Sequence, residues 1–165
     1  MTGQGLEPQQ LGAYFAFAEA ASLLQHHVEQ HLRAEGGLSY VQFQLLARLA
    51  EARSLTMTQL ADGVVYSRSG LTYQAGLLEQ AGLITRGPSV DDERATLVTI
   101  TEEGLALVRR ILPGHVQVVR RLLVDPLSND DVRHLGDIMS RVRDHMRAQP
   151  PRSAAPRRRR APRSV

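Results

Sequence analysis

Between Leu55 and Gly104 the chain reads LTMTQLADGVVYSRSGLTYQAGLLEQAGLITRGPSVDDERATLVTITEEG, and no other stretch constrains the fold as strongly. Thr56 stands as N-cap of a short helix from Met57 to about Gly63, with Leu60 and Ala61 facing inward. Ser67 caps a second helix that runs to about Ala81, with Leu71, Ala75 and Leu78 on one stripe. Gly82 follows, a residue that accepts the left-handed backbone ending helices favour. Leu83 to Arg86 and Thr96 to Thr101 carry β-branched residues suited to two short strands. Gly87-Pro88 and Asp91-Asp92-Glu93-Arg94 make a polar tip between them. A helix pair followed by a small hairpin is a unit that docks on duplex DNA, its second helix in the major groove and the hairpin beside it.

The flanks are helical. Leu11, Tyr14, Phe15, Ala18, Leu24, Val28 and Leu32 recur mostly at steps of three and four, predicting a long helix from Pro8 to Ala34 stopped by Gly36-Gly37. Ser39 caps a helix carrying Val41, Phe43, Leu45, Leu46 and Leu49 that ends near Arg53. Thr101 caps another from Glu102 towards Leu123, in which Leu112-Pro113-Gly114 predicts a kink or frayed turn. The last helix begins at Ser128, with Asp131 at the third position and Leu127 and Val132 as a hydrophobic staple. Its stripe is Val132, Leu135, Ile138, Met139, Val142 and Met146. The two terminal segments bear more apolar surface than the small central unit can cover, and a twofold homodimer would bury it.

Composition narrows the function classes. The 165 residues include no Cys, which excludes disulfides, thiolate metal sites and sensing by thiol oxidation. All 20 basic side chains are Arg, and six of them lie after Pro150 with no acidic residue among them. Removing those six from the net charge of +3 leaves −3 for residues 1–149. Overall basicity therefore belongs to the tail, and any DNA-facing surface must be local. The tail itself, rich in Pro and Arg, reads either as a solvated extension or as an arm on DNA phosphates. No window approaches the roughly 18 apolar residues of a membrane span, and no leader pattern opens the chain, so a cytoplasmic protein is expected. A Gly-x-Ser-x-Gly elbow, a P-loop, a Gly-rich dinucleotide turn and a Cys nucleophile are all missing, which argues against an enzyme. His26, His27 and His31 cluster on the first helix. His27 and His31 lie four apart and could bind a metal, with Glu29, His115, His134 or His145 as distant ligands. No His-Glu-x-x-His motif is present. No cofactor or metal site is assigned.

Arg68, Ser69, Thr72, Tyr73 and Gln74 fall on the side of their helix opposite Leu71, Ala75 and Leu78, where they suit phosphates or base edges. Here the chain resembles the MarR family of bacterial transcription regulators. The resemblance is carried by Leu60-Ala61, by Ser67-Arg68-Ser69-x-x-Thr72, by Leu78-Glu79-Gln80-Ala81-Gly82-Leu83-Ile84-x-Arg86, and by Asp92-x-Arg94 followed by Leu97 and Ile100-Thr101-x-x-Gly104. It covers roughly residues 8–148. It implies a mainly α fold with a small β-hairpin wing: a winged helix-turn-helix lobe over 38–101 and a helical dimerisation region over 8–37 and 102–148. Residues 1–7 and 149–165 are expected to be disordered. It further implies that Arg94 enters the minor groove with Asp92 holding its guanidinium, and that Arg68, Ser69, Thr72 and Tyr73 lie in the major groove. Ser67, Gln74 and Arg86 complete the expected DNA-binding set. Tyr73 departs from the family, where a second Arg often sits, and suggests stacking or thymine-methyl contact. The implied partners are double-stranded DNA with a palindromic site, a second copy of the chain, and a small phenolic or anionic effector between the dimer region and the DNA lobe. A zinc-responsive winged-helix regulator is the alternative that the resemblance implies, ahead of a winged-helix protein-interaction module.

Overall fold

A computed structural model of the chain describes residues 5–64, 68–90 and 94–148. The order is α1 (Pro8–Gly36), α2 (Tyr40–Ala52), β1 (Ser54–Thr56), α3 (Met57–Val64), α4 (Arg68–Gln80), β2 (Ile84–Pro88), β3 (Thr96–Ile100), α5 (Glu102–Val119), a π-helical segment (Arg120–Val124) and α6 (Asn129–Arg147). The mainly α architecture with a small wing agrees with the sequence reading. Ser67, the Asp92 tip and the tail from residue 149 lie outside the described residues.

Local chemistry sets the boundaries. Ser39 Oγ accepts from the Gln42 amide at 3.3 Å and Ser128 Oγ from the Asp131 amide at 3.2 Å, each answered by the third residue's side chain on the cap amide. These reciprocal bonds satisfy helix-end donors that would otherwise be orphaned. Thr56 and Gln59 make the same exchange at the start of α3. Gly37, at φ 64°, closes α1, and its amide together with that of Leu38 returns to the carbonyls of Arg33 and Leu32.

Three strands form the sheet, in the order β1-β3-β2, all antiparallel. The third strand, β1, is absent from the sequence reading because three residues are too few to display alternation. It exists because Leu55 pairs with Val98, while Ser54 Oγ and Thr99 Oγ1 lie 2.8 Å apart. The chain turns into it at Arg53, whose φ of 67° is rare for a residue with a Cβ.

The core is continuous across the expected lobe boundaries. Leu32 of α1, Leu45, Leu46 and Leu49 of α2, Leu60 of α3, Leu71 and Leu78 of α4, Ile84 and Val98 of the sheet and Ile111 of α5 are fully buried together. Helix α5 does not break at Pro113. Its helical course continues to Val119, and the irregularity comes later, as the π-helical segment. Pro113 is exposed, so the carbonyl it deprives of an amide donor can turn to water. By contrast α6 buries none of its residues, and the first half of α1 leaves Leu11, Tyr14, Phe15 and Phe17 exposed.

Candidate nucleic-acid interface

Burial of Leu71, Ala75 and Leu78 fixes the rotation of α4 about its own axis. The helical period then turns Ser69, Thr72 and Tyr73 outward, and all three are exposed, Tyr73 by 65%. Arg68 opens the helix, with its side chain outside the described atoms. Beside α4, strands β2 and β3 pair from Ile84↔Ile100 out to Pro88↔Thr96, and the Ser89 amide donates to the Ala95 carbonyl at 2.9 Å. That ladder carries the hairpin away from the core and leaves Arg94 exposed at its far end.

Two residues of the expected set are held within the fold. Arg86 donates from Nε and from a terminal nitrogen to Glu79 Oε2, at 2.9 and 2.6 Å, while its backbone amide donates to Oε1 at 3.0 Å. Those hydrogen bonds hold the Glu79 carboxyl below its ordinary value against the smaller upward push of desolvation, and the Arg86 charge adds to the lowering. The pair thus clamps β2 of the wing to the C-terminal half of α4. Gln74 is half-buried on the flank of α4 that faces α2, where its Oε1 accepts from Gln42 Nε2 at 2.9 Å. Neither Glu79 nor Gln42 stands out in the sequence as a site residue. The signal for Glu79 is its place one turn before Gly82, which folds the strand back so that Arg86 meets it.

The base of the wing is set by a close approach. Thr101 Oγ1 accepts from the Gly104 amide at 3.1 Å to cap α5 and donates to the Gly82 carbonyl at 2.7 Å. A Cβ at Gly104 would collide with the Leu83 carbonyl oxygen. The Thr-x-x-Gly spacing is therefore the means by which α5 seats against the turn between α4 and β2.

Helices α1, α2 and α5 meet in a second polar locus. An open cleft of about 380 Å³ is lined by Tyr40, Phe43, Gln44, Ala47, Arg48, Glu51 and His115. The Phe43 and His115 rings lie 4.8 Å apart, and burial, with the charge of His31 secondary, lowers the His115 pKa. His31 Nε2 and His115 Nδ1 are buried without a hydrogen-bond partner. His31 packs over Gly114 of α5, while His27 is exposed and edges against His26 at 5.7 Å between ring centres. Of the two imidazoles spaced four apart, one is thus exposed beside His26 and the other packs against α5, and no group of three metal-ligating side chains occurs among the described residues. Among those residues, no helix is long and apolar enough to cross a membrane.

A family model described as MarR family matches residues 36–95. The HTH-type transcriptional regulator PecS of Dickeya dadantii is 32% identical over 112 residues, which is 66% of this chain and 67% of that protein. Among solved structures, Sco3205, a MarR family transcriptional regulator from Streptomyces coelicolor in complex with DNA, matches with a TM-score of 0.83 and 33% identity. That match covers 90% of this chain and 92% of the other. AbsC, a MarR family transcriptional regulator from the same organism, matches with a TM-score of 0.82 and 30% identity over 89% of this chain and all (100%) of its own.

Proposed function

This chain belongs to the MarR family of winged helix-turn-helix transcriptional regulators that bind DNA, and from that premise we propose that it acts as a homodimeric, ligand-responsive repressor on a palindromic operator in the cytoplasm. The observation that carries the proposal is the uncovered apolar surface of α1 and α6. Phe15 is 59% exposed, and Ile138, Val142 and Met146 of α6 are exposed along one stripe. An apolar surface of this kind on the two terminal helices is covered most simply by its own copy through a twofold axis. Twofold pairing sets two α4 helices at the spacing of successive major grooves, about 34–36 Å. In each lobe Ser69, Thr72 and Tyr73 face base edges, and Arg94 enters the flanking minor groove, where narrow A·T-rich segments concentrate negative potential. The cleft beside His115 supports an effector of phenolic or anionic character, since Tyr40 and Arg48 offer donors next to the Phe43 ring. Such an effector relieves repression if it prefers a lobe spacing that does not fit DNA.

Mobility-shift titration on the promoter region of its own gene, with sedimentation velocity of the free protein, tests the reading. The expected result is a dimer that binds one site with two chains and survives competition by unrelated duplex. A monomer in solution that binds all duplexes equally would overturn it.

A further inference from the structure

The contact between α2 and α4 dictates which end of one amide is left for DNA. The Ser39 backbone N–H can only donate, and it donates to Gln42 Oε1 at 3.0 Å. The Gln42 oxygen is thereby assigned, so its NH2 group is the end that faces α4. There it meets Gln74 at 2.9 Å, and the atom Gln74 turns inward must be its carbonyl oxygen. The NH2 group of Gln74 is left pointing away. Gln74 is only half-buried, and its Nε2 is not among the buried side-chain atoms left without a partner, which among the described residues are those of His31 and His115, so the NH2 group is left for a partner outside α2. A Gln free to rotate presents a donor and an acceptor together, the pair that reads adenine bidentately. Held by its oxygen, this one presents donors.

We propose that Gln42 is a positioning residue for sequence recognition: by holding the Gln74 oxygen, it makes Gln74 a donor-only reader that selects an acceptor edge in the major groove, guanine O6/N7 or thymine O4. This rests on the proposal that α4 is the helix in the groove. The cap at the start of α2, a feature of helix stability, then also sets one letter of the operator half-site.

The test is selection of bound duplexes from a randomised pool by the full chain, with the recovered sequences counted position by position. The wild type is expected to prefer guanine or thymine at one position of each half-site, symmetrically placed. Gln42→Glu keeps an acceptor for the Ser39 amide but turns a second acceptor towards α4. Gln74 must then rotate its NH2 group inward and its oxygen outward. Gln74→Glu reaches the same outward acceptor by another route while keeping its bond from Gln42, and it preserves the fold even where the Gln42 variant does not. Both are expected to move that single position to cytosine or adenine, whose N4 and N6 groups donate, by about three- to tenfold in preference. Gln74→Ala is expected to lose the preference there and nowhere else. An unchanged profile for the two Glu variants, or a loss of affinity uniform over all sequences, overturns the proposal, the latter because it marks a phosphate contact. A Thr72→Val/Tyr73→Ala double variant separates the two levels. If it leaves the selected sequence unaltered, the placing of α4 fails and takes this inference with it. If it alters the sequence while the Gln42 and Gln74 variants do not, only the inference fails.

Discussion

Arg94 and Arg86 stand on the same hairpin. Arg94 lies exposed at its far end, and the Arg86 guanidinium is bound by Glu79. Arg94→Ala is expected to weaken operator binding by about 1–3 kcal/mol, measured by mobility shift. Unchanged affinity would remove the wing from the interface. Glu79→Gln acts through placement instead. It replaces a charged acceptor of three hydrogen bonds by a neutral amide, and the amides of β2 should exchange with deuterium faster than in the wild type. The lowered carboxyl gives this contact a direction in pH. Its stabilising effect is complete above the ordinary carboxylate range and is lost as pH falls through and below that range, a dependence the Gln variant should lack. Equal exchange rates in both proteins would show that the clamp does not hold the wing.

At the scale of elements, the joints decide more than the elements themselves. Helix α5 seats on the α4–β2 turn at Gly104, where there is no room for a side chain. Gly104→Ala should cost about 1–3 kcal/mol by forcing the helix off the Leu83 carbonyl, visible as a lower urea midpoint. A variant as stable as the wild type would contradict the packing. The α1–α2–α5 joint carries the other consequence. Burial keeps the His115 pKa below its ordinary value, so the folded protein takes up this proton less readily than the unfolded chain does. The resulting stability is fully present above the ordinary imidazole value of about 6.5 and declines as pH falls through it towards the folded value. His115→Phe, against the Phe43 ring, should flatten thermal midpoints measured across that interval. An equally steep decline in the variant would assign the dependence to another group.

For the whole molecule the question is what covers α1 and α6. Within one chain no residue of α6 is fully buried, and in the proposed dimer its stripe would be covered by the second copy. Leu135→Asp should leave the lobe folded and convert the proposed dimer to a monomer by sedimentation, with loss of tight operator binding. Retention of a dimer would place the interface elsewhere. Much of this organisation is legible along the chain. Caps at Ser39, Thr101 and Ser128 announce their helices within three residues, and the terminal stripes announce an unsatisfied surface by their length. The two wing strands, Ile84–Pro88 and Thr96–Ile100, are legible as β-branched runs on either side of a polar interruption.

Local rules, in short, determined where helices begin, which faces are apolar and which residues face outward from α4, because capping, periodicity and turn chemistry act over a few neighbouring residues. Tertiary structure alone decided that Arg86 turns to Glu79, that Gln74 gives its oxygen to Gln42, that β1 exists as a strand and that α5 runs through Pro113. Each of those depends on a contact or a solvent exposure set by how separate segments pack. A hydrogen bond between α2 and α4, 32 positions apart, has no local signature. It is settled only when burial of Leu46, Leu71 and their neighbours brings the two helices together.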